Sequence, residues 1–255
     1  NASTCVQTIT VQDITAPVIT CPVDVVINCE DISTPVVTGS ATATDNCDLA
    51  PVITFSDVTT PGSCAGNFVI LRTWTATDNC GNASTCVQTI TVQDITAPVI
   101  TCPVDVVINC EDISTPLATG SATATDNCDL APVITFSDVT TPGSCAGNFV
   151  IVRTWTATDN CGNASTCVQT ITVQDITTPV ITCPVDLVIN CEDISTPSAT
   201  GSATATDNCD LAPVITFSDV TTPGSCAGNF VIVRTWTATD NCGNTSTCVQ
   251  TITVQ

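Results

Sequence analysis

Apolar and polar side chains alternate residue by residue along much of the chain. Val23, Val25, Ile27 and Cys29 alternate with Asp24, Val26 and Asn28; Ile53 and Phe55 with Thr54 and Ser56; Cys86, Gln88, Ile90 and Val92 with Val87, Thr89 and Thr91. A two-residue period rich in Val, Ile and Thr predicts half-buried β-strands. Pro17, Pro22, Pro35, Pro51, Pro61, Gly39, Gly62, Gly66 and Gly81 fall between these runs, where turns need them, and no stretch carries a helical stripe. One run conflicts with its own period. In FVILRTWTATD the inward phase of Trp74 and Ala76 also claims Arg72, which predicts a bulge or bend near Leu71.

The pattern is repeated almost verbatim. Asn1, Asn82, Asn163 and Asn244 open the same phrase, a spacing of 81 residues, and the copies differ mostly among small or apolar side chains, as at Val36, Leu117 and Ser198. A solenoid turn runs to roughly 20 to 50 residues, so a period this long points to tandem small domains. With each domain opening at the DIT phrase, the units are 13–93, 94–174 and 175–255. Residues 1–12 then read as the final strand of an upstream copy, and the chain as a window on a longer secreted array. The expected class is all-β: tandem immunoglobulin-like β-sandwich domains, disulfide-rich, arranged end to end.

Composition narrows the function. There are 24 acidic residues against three basic ones, Arg72, Arg153 and Arg234, and no Lys, His, Met or Tyr. Nucleic acid and anionic membrane surfaces both require clustered Lys and Arg, which argues against either as a partner. Without His or Lys there is no conventional activation of a Ser or Cys nucleophile, and paired carboxylates alone support only glycoside-type chemistry. Three near-identical copies argue further against an enzyme. The 19 cysteines, six per repeat plus Cys5, lack the close pairs a thiolate zinc site needs, so they read as disulfides of an extracellular or cell-surface protein. No apolar run approaches the roughly 20 residues that span a bilayer as a helix.

APVITCP at 16–22, TATDN at 42–46, and WTATDNCGN at 74–82 followed by STCVQTITV at 84–92 resemble the hyalin-repeat (HYR) domain. The array is similar to those of secreted bacterial surface proteins. The resemblance implies an extracellular immunoglobulin-like sandwich with an adhesive or structural role, no catalytic residues, and a bond between Cys21 and Cys86. Four further cysteines per repeat depart from the simplest family pattern. Strand polarity places Cys47 with Cys80 at one pole of the sandwich and Cys29 with Cys64 at the other, leaving Cys21 and Cys86 to pair as the family does. A short Cys80–Cys86 link across the hairpin is the alternative. One and two periods on, the expected pairs are Cys102–Cys167, Cys110–Cys145 and Cys128–Cys161, then Cys183–Cys248, Cys191–Cys226 and Cys209–Cys242. Cys5 is left without a mate.

The same polarity gathers Asp13, Asp45, Asp48 and Asp78 at the first pole and Glu30 and Asp31 at the opposite one. Stacked domains would then set Glu30 and Asp31 against Asp94, Asp126, Asp129 and Asp159, and Glu111 and Asp112 against Asp175, Asp207, Asp210 and Asp240. Such clusters, lacking basic partners, either hold a hard cation, for which Ca²⁺ suits oxygen ligands, or serve as turn residues capping their own backbone. Asn82, Asn163 and Asn244 satisfy the glycosylation sequon. The expected function is a structural segment of an extracellular fibre or adhesin stalk, partnered by further copies of the repeat. The alternative is an array of glycan- or protein-binding modules acting multivalently.

Overall fold

The computed structural model describes residues 1–255 and is all-β apart from three single helical turns. The first repeat runs β1 (Val18–Thr20), β2 (Val25–Asn28), α1 (Pro35–Thr38), β3 (Thr42–Thr44), β4 (Val52–Pro61), β5 (Phe68–Thr77) and β6 (Ala83–Gln93). The order recurs as β7 (Val99–Thr101), β8 (Val106–Asn109), α2 (Pro116–Thr119), β9 (Thr123–Thr125), β10 (Val133–Pro142), β11 (Phe149–Thr158) and β12 (Ala164–Gln174). It recurs again as β13 (Val180–Thr182), β14 (Leu187–Ile189), α3 (Pro197–Thr200), β15 (Thr204–Thr206), β16 (Val214–Pro223), β17 (Phe230–Thr239) and β18 (Thr245–Val254). The chain forms two compact units, one of residues 1–100, 124–134 and 156–165, the other of residues 101–123, 135–155 and 166–255.

In the first unit β2, β6, β5 and β4 form a four-stranded sheet in that order, and β1 pairs with β3 in a second, smaller sheet. β2 runs parallel to β6; β6–β5 and β5–β4 are antiparallel. Cys21, just past β1, is bonded to Cys86 in β6, the pair the resemblance implies, and ties the two sheets together. Ile70, Ile90 and Val92 form the apolar core, with Val25, Ile27, Cys29 and Phe68 packed against them. The second unit repeats this plan in full over β13–β18, with the sheet order β14-β18-β17-β16 and its own core of Ile232, Ile252 and Val254. Residues 1–12 are exposed and outside any sheet, so they do not form the final strand expected of them.

The expected bulge near Leu71 is absent. β5 keeps an unbroken register on both sides, with Leu71 opposite Val58 and Thr89, and Arg72 opposite Asp57 and Gln88. Arg72 therefore does point inward, and it is only 2% exposed. The charge is tolerated because every face of the guanidinium is met. Nε and Nη2 donate to the two carboxylate oxygens of Asp57, each at 2.8 Å, Nη1 donates to Thr38 Oγ1 at 2.9 Å, and Nη2 also reaches Ser33 O at 2.8 Å. Phe55 lies 4.6 Å from Cζ, in cation–π range. A buried ion is costly unless paired and hydrogen-bonded, and here it is both.

That demand also explains the helical turn that periodicity does not reveal. Four residues show no stripe, but Pro35 at the first helical position presets φ, and Thr38 Oγ1 donates to Thr34 O while accepting from Arg72. Gly39 closes the turn at φ 94°, and a Cβ there would sit 2.9 Å from Cβ of Pro22. Gln88, fully buried in β6, donates to Thr38 O and Val23 O, so one turn anchors both polar side chains of the core. Replacing Asp57 with Ala strands the Arg72 charge and is expected to cost about 3 kcal/mol. Hydrogen exchange should show this as a roughly hundredfold loss of protection across β5 and β6, whereas the joint replacement Arg72→Met with Asp57→Leu should recover most of it.

Candidate functional site

The loops after β3 and β5 build the first pole from aspartates. Asp45 Oδ2 accepts the N–H groups of Cys47 and Asp48, Asp48 Oδ2 accepts the Asn79 N–H at 3.0 Å, and Asp78 Oδ1 accepts those of Cys80 and Asn82. These are Asx turns, in which a short side chain satisfies backbone that no strand continues. The Asp48–Asn79 bond places the two loops side by side, as the expected polarity requires. Asp13 completes the cluster: Asp13, Asp45 and Asp78 each bring a carboxylate oxygen within 4.8 Å of the others.

The same constellation recurs in the first unit as Asp94, Asp126 and Asp159, and in the second as Asp175, Asp207 and Asp240. Here the cluster is enclosed. The Asp94 N–H donates to Asn67 Oδ1 at 2.6 Å, Asn28 Nδ2 donates to Thr96 Oγ1 at 3.0 Å, and Asn127 Nδ2 donates to Glu30 Oε2 at 3.3 Å. Gly66, at φ 96°, lies so close that a Cβ would stand 3.2 Å from Cβ of Cys128 and 3.3 Å from Cβ of Asp94. Asp94 and Asp159 are each 5% exposed. Asp94 Oδ1 takes the Thr96 N–H and Asp126 Oδ2 takes those of Cys128 and Asp129, but Asp94 Oδ2 and Asp126 Oδ1 are buried with no partner. Asp175 Oδ2 and Asp207 Oδ1 are left in the same condition.

The electrostatics follow the hydrogen bonds. Burial pushes the Asp94 carboxyl above its ordinary value, opposed by the Thr96 N–H and reinforced by repulsion from Asp126, Asp159 and Asp129; Asp175 behaves alike among Asp207, Asp240 and Asp210. Burial acts upward on Asp159 as well, but donors outweigh it. The side chain and backbone of Asn163 and the backbone of Cys161 and Gly162 hold its carboxyl below the ordinary value.

Of the expected cation ligands, the structure brings together Asp94, Asp126 and Asp159, and likewise Asp175, Asp207 and Asp240. The others are engaged elsewhere. Asp129 and Asp210 cap Ala131 and Asn160, and Ala212 and Asn241. Asp31 and Asp112 close their own turns on the N–H groups of Asn28 and Asn109. Glu30 accepts from Asn28 and Asn127, and Glu111 from Asn109. Asn82, Asn163 and Asn244 each donate from Nδ2 twice, to an aspartate side chain and to a backbone carbonyl, so a glycan there would displace one of those bonds. The sequence reading missed Asn67 and Asn127. Their signal was a fixed place in the AGNF and TDNC phrases.

The cysteine pairing differs from expectation. Cys29 is bonded to Cys128 and Cys64 to Cys161 within the first unit, and Cys110 to Cys209 and Cys145 to Cys242 within the second. These replace the expected Cys29–Cys64, Cys110–Cys145, Cys128–Cys161 and Cys209–Cys242 bonds; Cys47, Cys80, Cys191 and Cys226 are unpaired and exposed. The Cys80–Cys86 alternative also fails, because Cys86 is taken by Cys21, as Cys167 is by Cys102 and Cys248 by Cys183. Cys29, Cys64, Cys110 and Cys145 each meet a cysteine of the next repeat instead. Cα–Cα separations of 6.2 Å for Cys29–Cys128 and 5.2 Å for Cys64–Cys161 suit a disulfide.

No protein-family model matches the chain. It is 32% identical over 256 residues, 95% of its length, to hyalin of Lytechinus variegatus, of which it covers 47%. It is also 32% identical over 225 residues, 84% of its length, to hyalin of Strongylocentrotus purpuratus, of which it covers 18%. The chain thus spans less than half the length of the curated relatives it matches, and its domains are hyalin-repeat-like. Neither relative supports the expected bacterial source. Among solved structures, Drosophila N-cadherin EC1-4 shares 13% identity over 94% of this chain and 75% of its own, with a TM-score of 0.31. Mouse Cadherin-23 EC22-24 shares 15% over 94% and 99%, with a TM-score of 0.33. The chain is an extracellular or cell-surface protein of tandem, disulfide-bonded β domains, and no helix is long and apolar enough to cross a membrane.

Two measurements check this site. Peptide mapping without reduction should find Cys29 joined to Cys128 and Cys64 to Cys161, and no Cys29–Cys64 peptide. Replacing Asn163 with Ala removes the Nδ2 donor, one of those that lower Asp159, and should cost about 1 to 2 kcal/mol near neutral pH. A carboxyl depressed on folding adds stability above its unfolded pKa and loses it as pH falls through the folded one. The difference between Asn163→Ala and the unaltered chain in denaturant unfolding should accordingly narrow in strong acid, leaving the share due to the bond to Asp94 O.

Proposed function

We propose that the chain is a structural segment of an extracellular fibre or adhesin stalk, built of hyalin-repeat-like domains at 13–93, 94–174 and 175–255 and partnered by further copies of the repeat. The observation that carries this reading is the junction. The first and second domains each share two disulfides with loops of the next, and the aspartates between them leave buried carboxylate oxygens unpartnered. A module evolved to bind a soluble ligand has no need of covalent bonds to its neighbour. The reading is non-catalytic, supported by the lack of His and Lys in the sequence.

Calcium fits the junction. Asp94, Asp126 and Asp159 would hold one ion, and Asp175, Asp207 and Asp240 another, because unpartnered, buried carboxylate oxygens are what a hard cation seeks. When bound, the ion supplies positive charge that the junction lacks, the three arginines being paired inside the sandwiches. The capping oxygens and the unpartnered oxygens belong to the same side chains, so turn formation and ion binding do not compete. A multivalent glycan- or protein-binding array is the second reading, favoured by one observation. An open cleft beside the β4–β5 turn, lined by Gly62, Ser63, Phe68 and Thr91, recurs at Gly143, Ser144, Phe149 and Thr172.

Titration calorimetry of the whole chain with Ca²⁺ should show uptake, and Asp126→Asn with Asp207→Asn should weaken it about tenfold or more. Uptake should also fall with acid sooner than ordinary aspartates would dictate, since Asp94 and Asp175 titrate high. Beads coated with the chain should cluster with one another in calcium. Absence of both uptake and clustering would leave the aspartates as turn caps and remove the adhesive reading.

A further inference from the structure

At each junction the aspartate loops also carry the bonded cysteines. Asp126 Oδ2 accepts the Cys128 N–H and Asp159 Oδ1 the Cys161 N–H, both at 2.8 Å. Asp207 and Asp240 stand in the same relation to Cys209 and Cys242, at 2.9 and 2.8 Å. One bond of each pair touches the cluster itself. The sulfurs of Cys29 and Cys128 lie within 4.8 Å of a carboxylate oxygen of Asp94, and those of Cys110 and Cys209 within the same distance of one of Asp175. Building on the calcium reading, we propose that the Cys29–Cys128 and Cys110–Cys209 disulfides are redox switches of the two calcium sites: reducing them weakens calcium binding, and bound calcium in turn protects them from reduction.

Asp94, Asp126 and Asp159 belong to one repeat, so the bond is not needed to bring them together. What it holds in place is the cover. A Cβ on Gly66, in the preceding repeat, would stand 3.2 Å from Cβ of Cys128, 3.3 Å from Cβ of Asp94 and 3.6 Å from Cβ of Cys29, so one stretch of backbone packs on the bond and on the carboxylate together. Under it Asp94 is buried with Oδ2 unpartnered. Apart from the disulfides, the cover is held by hydrogen bonds such as Asp94 N–H to Asn67 Oδ1, each of which adds little net stability over its counterpart in water. Against it stands the mutual repulsion of enclosed carboxylates, stronger here than in water. With the bond intact, the closed arrangement that calcium requires is imposed before the ion arrives. With the bond cut, the ion-free junction relaxes by lifting the cover and hydrating its carboxylates, and calcium binds only the fraction that recloses. Linkage makes the effect reciprocal: whatever factor the bond adds to calcium affinity, calcium adds to the persistence of the bond. Cys64–Cys161 and Cys145–Cys242 keep the repeats tethered meanwhile, so the switch loosens a junction without severing it.

The reductant is a small dithiol. One of its thiolates attacks the Cys29–Cys128 bond to form a mixed disulfide, and its second thiolate displaces the remaining cysteine, closing the reagent into its own cyclic disulfide. One S–S bond is broken and one is formed, two electrons pass to the protein, and the two protons of the dithiol end on Cys29 and Cys128. Both cysteines are half-buried, so a small reagent reaches them. Cys110–Cys209 reacts likewise.

The test uses the whole chain with its exposed thiols, Cys5, Cys47, Cys80, Cys191 and Cys226, alkylated beforehand to prevent exchange. In the first arm, calorimetry compares Ca²⁺ uptake by this chain with that of a variant carrying Cys29→Ser, Cys128→Ser, Cys110→Ser and Cys209→Ser. The variant should bind about tenfold more weakly, with hydrogen-exchange protection in β5 and β17 unchanged to show that its sandwiches are folded. The second arm needs no substitution and so holds even if the variant misfolds. At a fixed ratio of reduced to oxidised dithiothreitol, the ratio of reduced to bonded Cys29 and Cys128, read by alkylation and peptide mapping, should fall about tenfold in saturating Ca²⁺ compared with sodium chloride of equal ionic strength. The Cys21–Cys86 bond, which lies within one sandwich, should respond far less. Equal or tighter uptake by a folded variant, reduction indifferent to Ca²⁺, or equal protection of Cys21–Cys86 would each overturn the proposal while leaving the calcium reading in place. No uptake by the alkylated chain itself would remove the calcium reading and the switch with it.

Discussion

The ion pair between Arg72 and Asp57 is the constraint around which each repeat is organised. It is the repeat's only basic side chain, and it lies inside. Satisfying it fixes Thr38 and Ser33, and so the single helical turn; it fixes the pairing of β4 with β5 and places Phe55 over the guanidinium. Buried ion pairs contribute little net stability compared with apolar residues of the same size, but losing one partner is costly, so such a pair specifies one arrangement rather than a tight one. With an apolar core of a few Ile and Val residues, the Cys21–Cys86 bond adds typically about 2 to 4 kcal/mol.

Placing the cation inside has a consequence at the poles. The remaining aspartates have no basic residue to face, and the fold handles them with backbone N–H groups. Burial acts on both, but the donors around Asp159 hold its carboxyl below the ordinary value, whereas at Asp94 burial by the preceding repeat, joined by repulsion from other carboxylates, pushes it above. The contrast arises from position alone, because Asp78 and Asp159 occupy equivalent loops and shift alike, while burial at Asp94 comes with the covering residues Gly66 and Asn67.

Much of this was legible in the sequence. Alternation gave the long strands, and the 81-residue spacing gave the repeat. Two features escaped for definite reasons. Arg72 was assigned a bulge because periodicity counts a charge as outward, and it has no means of seeing that Asp57, 15 residues away in sequence, arrives opposite it across the sheet. The cysteine partners were misassigned because six residues per repeat form a closed set only if no bond leaves the repeat. In near-identical copies, a bond to the same repeat and a bond to the next leave the same trace in the sequence.

Within the first unit, three covalent paths pass from the first repeat into the second: the peptide chain through Gln93 and Asp94, the Cys29–Cys128 bond and the Cys64–Cys161 bond. A protease that nicked the backbone between residues 94 and 97 would separate nothing, because both fragments would remain tethered at two points. Damage tolerance of this kind suits the proposed role as a structural segment outside the cell, where a severed chain cannot be resynthesised in place.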